Sequence, residues 1–294
     1  MKDLLSDHIG ARRSLAHYHP NARDNAIPLI LQEFRWHQQR RARFGCMRGP
    51  LSMQEPLPAA SGVDYKPYDE STQLARYIKN YPRSFTRNPS QPLIARPLTL
   101  SERTGPLGLD QRLEIDGQDL SSKTPGGPRA IGQFIAVEGR VMDEDGAPLA
   151  GAVIEIWQAN SAGKYVHEAD RHQAPIDPNF TGEGRIVTDE EGRYRFLSIK
   201  PGAYPVTESD WWWRPPHIHF SMFGPSWMNR FVTQIFFPGE PLNEMDLLLN
   251  AVQDPEARDR LIFETTPTTV GAVNLLTFRR DFVLRGRSRT PELD

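Results

Sequence analysis

The residues with the clearest chemical potential are two histidines in the segment 213–219, Trp-Arg-Pro-Pro-His-Ile-His. Pro215 and Pro216 favour an extended backbone, and side chains two positions apart on a strand point to the same face. His217 and His219 are therefore predicted to lie side by side, as half of a metal site. The same spacing is also typical of a half-polar strand face that binds nothing, so the rest of a site must come from elsewhere in the chain.

Two tyrosines could supply the missing ligands. Tyr165 and Tyr204 each follow a predicted strand, whereas carboxylates near His217 are few and the single cysteine, Cys46, is distant in sequence. A phenol has a pKa near 10 and must be ionised to bind a metal, which requires a strongly Lewis-acidic cation. The hard phenolate oxygen suits iron(III), whereas zinc and iron(II) are commonly bound by imidazole, thiolate and carboxylate. Two tyrosines with two histidines therefore predict non-haem Fe(3+), one ion per chain.

The composition limits the class of partner. The 294 residues include 35 Lys and Arg against 37 Asp and Glu, a net charge of −2, which gives no electrostatic case for nucleic acid or an anionic membrane. No apolar run approaches the roughly 20 residues of a membrane span, and the N-terminus lacks the apolar stretch of a signal peptide. With one cysteine and no internal disulfide, we expect a cytoplasmic protein that binds a small molecule or another protein.

The elements that must position these side chains are strands. Alternating apolar residues broken by turn residues predict strands at 134–141, 152–157, 188–199, 217–223, 231–237 and 274–284. The first two are predicted to pair as a hairpin across the turn at 143–149. Residues 254–262 alone read as a helix in this region, with an Asp cap followed by Pro. Many short strands without βαβ alternation predict an all-β fold, an antiparallel β-sandwich with one or two short helices.

The chain is predicted to have three regions. Residues 1–62 form an N-terminal extension, partly helical or disordered, with a helix at 25–44 and a second His-x-His at 17–19 that reads as loop. Residues 63–128 form an irregular arm of the kind that packs on the core or on a partner subunit. Residues 129–294 form the β-sandwich domain that carries the predicted metal ligands. Within the arm, Tyr81 and Arg87 belong to a mixture of aromatic and cationic residues suited to an aromatic acid.

Several separated motifs, in this order along the chain, resemble the intradiol ring-cleaving dioxygenases, and among them the iron-bearing β chains that act on protocatechuate. The segments that carry the resemblance are 157–160 (Trp-Gln-Ala-Asn) with Tyr165, 177–180 (Asp-Pro-Asn-Phe), 182–185 (Gly-Glu-Gly-Arg), 201–205 (Pro-Gly-Ala-Tyr-Pro), 213–219, 233–234 (Thr-Gln) and 282–287. The likeness spans roughly residues 75–290 and implies a transthyretin-like sandwich core.

The resemblance also implies roles for individual residues. Tyr165 and His217 would be equatorial ligands of iron(III), and Tyr204 and His219 axial ligands, with Tyr204 released to take a proton when a diol binds. Arg214 and Gln234 would stabilise charge on the ring during attack by O2. Tyr81, Arg87 and Trp157 would contact the substrate. The resemblance thus implies Tyr165, Tyr204, His217 and His219 as metal ligands. It implies Arg214, Gln234 and Tyr204 as catalytic residues.

The implied reaction converts protocatechuate and O2 to 3-carboxy-cis,cis-muconate, with a homologous α subunit completing the pocket in a hetero-oligomer. Val206 and Pro216 depart from residues common in the family, which bears on fine specificity. Three alternatives stay open: a homo-oligomeric catechol or hydroxyquinol 1,2-dioxygenase, the non-catalytic α subunit, and a non-catalytic transthyretin-like structural or binding module. The Gly-Arg-Tyr motif at 192–194 fits the last of these as well, because it is turn and core chemistry.

Overall fold

A computed structural model describes residues 70–75, 77–81, 84, 116–206, 211–223, 230–270, 273–286 and 288–293. The predicted helix at 25–44, the His-x-His at 17–19 and Arg87 lie outside these residues. The boundaries predicted at residues 62 and 128 stay predictions.

The regular secondary structure of the described part of the chain consists mainly of strands. The strands are β1 (Phe134–Met142), β2 (Val153–Trp157), β3 (Glu183–Val187), β4 (Arg193–Ile199), β5 (Tyr204–Pro205), β6 (Trp213–Arg214), β7 (His217–Phe223), β8 (Arg230–Phe236), β9 (Glu264–Val270), β10 (Val273–Arg279) and β11 (Phe282–Val283). The helical elements are the α-helix α1 (Pro255–Asp259) and 3-10 turns at Glu70–Thr72, Pro241–Met245 and Leu249–Ala251.

The strands form two main sheets. In the five-stranded sheet, β1 pairs antiparallel with β4 and parallel with β10 and β11, and β10 pairs with β9. The four-stranded sheet has the order β3-β2-β7-β8 and is antiparallel throughout. The prediction of an all-β sandwich is confirmed. The parallel pairs add a detail, since period-two alternation does not distinguish parallel from antiparallel neighbours.

The core lies between the two sheets. It joins Ile135 of β1 and Phe196 of β4 to Ile156 of β2 and Phe220 of β7, all essentially inaccessible to solvent. Phe196 and Phe220 meet edge to face across the sheets, with ring centroids 6.2 Å apart. Burying a side chain of this size stabilises the fold by about 1.5–3 kcal/mol, so the sandwich provides a rigid base for side chains at its ends.

The predicted hairpin between β1 and β2 is wrong. The turn exists, since Asp143 Oδ1 accepts the backbone N–H groups of Asp145 and Ala147, each at 2.9 Å. Pairing stops after the single bridge between Met142 and Pro148. Gly151 then adopts a positive φ of 69°, and the chain continues into β2 of the opposite sheet. Local turn chemistry predicts the reversal of direction but not the sheet in which the next strand pairs.

The helix predicted at 254–262 is present but shorter. Asp254 caps α1 by accepting the backbone N–H of Ala257 at 2.7 Å, and Pro255 occupies the first helical position. None of the helices in the described residues is long and apolar enough to cross a bilayer.

Candidate metal centre

The sheet register places four of the predicted site residues, Trp157, His217, His219 and Gln234, at one end of the four-stranded sheet. His219 on β7 is paired with Trp157 of β2 on one side and with Gln234 of β8 on the other. The short β5–β6 ribbon pairs Tyr204 with Arg214. Because only two prolines separate β6 from β7, this ribbon is held directly beside the histidine strand.

Four side-chain donor atoms converge there. Tyr165 Oη lies 3.1 Å from His219 Nε2, which in turn lies 3.2 Å from His217 Nε2. Tyr204 Oη lies 3.4 Å from His217 Nε2, and the rings of Tyr165 and Tyr204 meet edge to face with centroids 5.3 Å apart. The structure thus brings together all four residues predicted as metal ligands, although they span 54 positions of the sequence.

The buried site favours the neutral form of both imidazoles. Burial, reinforced by the Arg214 cation, lowers the pKa of His219 to about 3. The same causes, with the neighbouring His219, lower the pKa of His217 well below its ordinary value. His217 Nδ1 donates to the carbonyl oxygen of Pro215 at 2.6 Å, and since a carbonyl only accepts, the proton must sit on Nδ1. The Nε2 atom of His217 is therefore unprotonated, and it lies 3.2 Å from His219 Nε2 and 3.4 Å from Tyr204 Oη.

The two phenols hold their protons when no cation is bound. Burial raises the pKa of Tyr165 well above its ordinary value, and the neighbouring Tyr204 raises it further. Burial also raises the pKa of Tyr204, although the Arg214 cation opposes this shift. Ionising either phenol at neutral pH therefore requires a strongly Lewis-acidic cation.

The donor set fits a single hard cation. Ligand atoms about 2.1 Å from a metal ion, and at right angles about it, lie about 3 Å apart, close to the observed separations of 3.1, 3.2 and 3.4 Å. Within the described residues, no group of three or more His, Cys, Asp and Glu could hold a metal. A metal bound here would depend on phenolate oxygen, and that donor type favours iron(III).

The loop before Tyr165 is tied to the turn before Tyr204. The buried Asn160 has a backbone carbonyl that accepts the N–H groups of Gly163 at 3.0 Å and Gly202 at 2.9 Å. Gly163 has a φ of 76°, and a Cβ there would lie 2.1 Å from a backbone carbonyl oxygen. Only glycine fits this close approach, which fixes the two tyrosine-bearing segments to one another.

The backbone of Tyr165 is also held from its other side. Asp170 Oδ2 accepts the N–H of Tyr165 at 2.8 Å, and its Oδ1 accepts the N–H of His172 at 2.7 Å. Lys164 Nζ donates to the carbonyl oxygens of Asp170 at 2.8 Å and His172 at 2.7 Å and lies 3.4 Å from Asp170 Oδ1. Sequence reasoning missed this clamp, because each of its members reads as an ordinary polar loop residue.

Arg214 is a buried cation, with only 6% of its surface exposed. Its Nε donates to Asp246 Oδ2 at 2.7 Å, and its Nη2 donates to Gln234 Oε1 at 2.5 Å. Burial opposes the charge, but Asp246 and Tyr204 favour the cation and leave the pKa of Arg214 above its ordinary value. A permanent positive charge therefore stands close to both phenols.

The remaining predicted residues have varied positions. Trp157 stacks on the imidazole of His219, with centroids 4.6 Å apart and planes at 15°. Tyr81 meets Trp212 edge to face at 5.4 Å. The predicted contacts of Trp157 and Tyr81 with substrate stay predictions.

Asp246 was missed in the sequence. Its one signal is a carboxylate directly before the run Leu-Leu-Leu at 247–249. A charged residue in an apolar segment is seldom buried without a partner.

We expect the metal-free protein to lose stability as the pH falls below the ordinary histidine value of 6.5. The pKa values of His217 and His219 are lowered in the folded state, so below that value the unfolded chain binds more protons. Their contribution is complete above pH 6.5 and is lost progressively toward the folded value of about 3 for His219. The slope should reach about 1.4 kcal/mol per pH unit for each histidine, measured by urea unfolding of metal-free protein.

The His219→Gln variant is the comparison for this measurement. Between about pH 5 and about pH 6.5 it should show a shallower loss of stability than the parent protein, because one of the two titrating groups is gone. Equal slopes for parent and variant in this range would contradict the neutral state assigned to His219.

Comparison with known proteins shows which proteins this chain is similar to. Residues 104–286 match the protein family described as Dioxygenase. The chain is 43% identical, over 225 residues, to the protocatechuate 3,4-dioxygenase beta chain of Burkholderia cepacia, covering 76% of this chain and 95% of that one. It is 36% identical, over 126 residues, to the hydroxyquinol 1,2-dioxygenase of Rhizobium sp. (strain MTP-10005), covering 39% of this chain and 41% of that one.

Among solved structures, the 3-chlorocatechol 1,2-dioxygenase of Rhodococcus opacus 1CP aligns with a TM-score of 0.45 at 25% identity, covering 56% of this chain and 64% of that chain.

Proposed function

The chain belongs to the intradiol ring-cleaving dioxygenases, and we propose that it cleaves protocatechuate with O2 as the β chain of a two-chain enzyme. Both oxygen atoms enter the product, 3-carboxy-cis,cis-muconate, as the bond between the two hydroxyl-bearing carbons opens. The observation that carries this proposal is the 43% identity to a protocatechuate 3,4-dioxygenase beta chain, along 95% of that relative's length.

Tyr165, Tyr204, His217 and His219 would hold one non-haem iron(III), because their four donor atoms are the ones that converge. When bound, ferric iron would draw electron density from a chelated diol and make its ring reactive toward O2. Both imidazoles are already neutral in the buried site, so they need no deprotonation before they coordinate a metal.

Tyr204 would accept a proton from the diol. Its Oη lies 3.4 Å from His217 Nε2, and its backbone is paired with that of Arg214. Without a cation, burial raises the pKa of Tyr204, so its oxygen would take up a proton once it is released from the metal. The diol would supply that proton as it binds. A group with high proton affinity at this position favours that transfer.

Arg214 and Gln234 would stabilise negative charge on the ring. The guanidinium is rigid and permanently charged, and its contacts at 2.7 Å with Asp246 and 2.5 Å with Gln234 hold it in one orientation. Preorganised charge beside a developing anion typically contributes a few kcal/mol to the transition state. Arg214 would thereby act on the reacting ring, and Gln234 would orient Arg214.

The same relative supports the partner and the substrate class. It is a beta chain, so we propose that a homologous α chain completes the pocket in a hetero-oligomer that degrades aromatic acids. The competing assignment is a homo-oligomeric catechol or hydroxyquinol enzyme. It has the weaker support of a hydroxyquinol relative matched along 41% of its length.

Oxygen uptake by iron-loaded protein separates these assignments. Protocatechuate, catechol and hydroxyquinol are supplied in turn, with the chain alone and with a candidate α chain. We expect protocatechuate to give the highest kcat/KM, increased by the α chain, with 3-carboxy-cis,cis-muconate as product. Preference for catechol or hydroxyquinol by the chain alone would favour the homo-oligomeric assignment. No uptake with any diol, in protein that holds iron, would overturn the proposal.

A further inference from the structure

Asp246 is a fully buried carboxylate whose two oxygens have separate partners. It lies at 0% exposure between the 3-10 turns Pro241–Met245 and Leu249–Ala251. Oδ2 accepts Arg214 Nε at 2.7 Å, while Oδ1 accepts the backbone N–H groups of Leu248 at 3.1 Å and Leu249 at 2.8 Å. The backbone contacts fix the carboxylate in one orientation, with its second oxygen directed at Arg214.

Two residues distant in sequence hold the guanidinium. Asp246, 32 positions from Arg214, accepts its Nε–H group, and Gln234, 20 positions away, accepts its Nη2–H group. Aromatic rings pack close to it: the guanidinium carbon lies 5.5 Å from the ring centroid of Trp212 and 6.0 Å from that of Phe236. A cation in such surroundings needs a partner, since an unpaired buried charge is strongly unfavourable. Among the described residues, Asp246 is the carboxylate in ion-pair contact with Arg214.

We propose that Asp246 is a positioning residue for ring cleavage, acting only through Arg214. It balances the charge of the guanidinium and fixes its orientation from the Nε side, while Gln234 fixes it from the Nη2 side. This inference rests on the proposed function, in which Arg214 stabilises charge on the ring. The segment 241–251 supplies none of the four donor atoms. Through Asp246 it would help to place the charge of Arg214.

Asp246→Asn tests the inference with little change in shape. Asparagine has a single acceptor oxygen, so it cannot serve both Arg214 and the backbone N–H groups of Leu248 and Leu249. We expect kcat on protocatechuate to fall by about 10²-fold, with KM changed by less than about threefold. Iron content and visible colour should be retained, because Asp246 contacts none of the four donor residues in the described structure.

A double-mutant cycle with Arg214→Ala distinguishes positioning from a general structural role. In the Arg214→Ala background, Asp246→Asn should change kcat by less than about threefold, because the group it positions is gone. In metal-free protein, each single variant should lower the unfolding temperature by leaving a buried group unpaired, and the double variant should recover part of that loss. This second readout needs neither iron nor turnover.

The matched control is Glu155→Gln, the same carboxylate-to-amide change at another buried carboxylate that pairs with an arginine. Glu155 Oε1 accepts Arg185 Nε at 3.1 Å between β2 and β3, so this variant should lose stability and keep its kcat. If the parent protein is active and Asp246→Asn keeps its kcat, or lowers it equally in both Arg214 backgrounds, the positioning role is overturned and the proposed function stands. If iron-loaded parent protein is inactive on every diol, both are overturned.

Discussion

Replacing Tyr165 with phenylalanine is expected to remove iron binding and, with it, ring cleavage. The variant loses one of the four convergent donors while keeping the ring that contacts Tyr204. Changing a residue that merely supports a metal ligand typically costs about 10–100-fold in affinity or activity, so loss of a ligand itself should cost at least about 10²-fold in both. Iron content after desalting, visible absorption and oxygen uptake measure the three effects.

The matched control is Tyr194→Phe. Tyr194 is also buried, and burial likewise raises its pKa, but its hydroxyl donates to the carbonyl oxygen of Arg280 at 2.6 Å, away from the four donors. This variant should lose about 1 kcal/mol of stability and retain iron, colour and turnover. A Tyr165→Phe protein that kept iron and colour at the level of Tyr194→Phe would show that Tyr165 is not a ligand.

Replacing Arg214 with alanine should leave iron and colour in place and remove most turnover. Arg214 supplies no donor atom to the cluster of phenols and imidazoles, whereas its charge stands close to both phenols. Loss of a preorganised charge-stabilising group typically lowers kcat by about 10²–10³-fold. The change also leaves Asp246 unpaired in the interior, at a cost of about 3–5 kcal/mol, so kcat must be measured where the variant is shown to be folded.

Two further variants sharpen this test. Arg214→Lys keeps the charge but lacks the planar fork that contacts both Asp246 and Gln234, so it should recover only part of the lost turnover. Arg185→Ala breaks the comparable pair with Glu155 and should lower stability without lowering kcat. Turnover in folded Arg214→Ala equal to that of the parent would remove Arg214 from the reaction.

The convergence of the candidate site residues was partly predictable from sequence, for physical reasons. Period-two alternation on a strand places His217 and His219 on one face, and in the structure their Nε2 atoms lie 3.2 Å apart. That Tyr165 joins His219 depends on the pairing of β2 with β7, which is a long-range contact. Tyr165 and Tyr204 were singled out because each follows a predicted strand and few carboxylates lie near His217. The resemblance to a known family then implied their individual roles as ligands.

What the sequence did not predict is mostly long-range pairing. Asp246 lies 32 positions from Arg214, and no local pattern relates a carboxylate before three leucines to an arginine before two prolines. The reversal of the chain after β1 was predicted, but the predicted pairing of β1 with β2 was wrong. The residues of a turn do not determine in which sheet the next strand pairs. The clamp between Lys164 and Asp170 was missed for a similar reason: loop residues have no periodicity from which contacts could be inferred.

The most direct test of the central claim is a titration of the purified, metal-free protein with ferric iron, followed by visible absorption. Two phenolate ligands should produce a phenolate-to-iron charge-transfer band that grows to one iron per chain and colours the protein burgundy. Tyr194→Phe should give the same band and the same endpoint. A folded protein that stays colourless and takes up no iron would contradict the assignment of Tyr165, Tyr204, His217 and His219 as an iron(III) site.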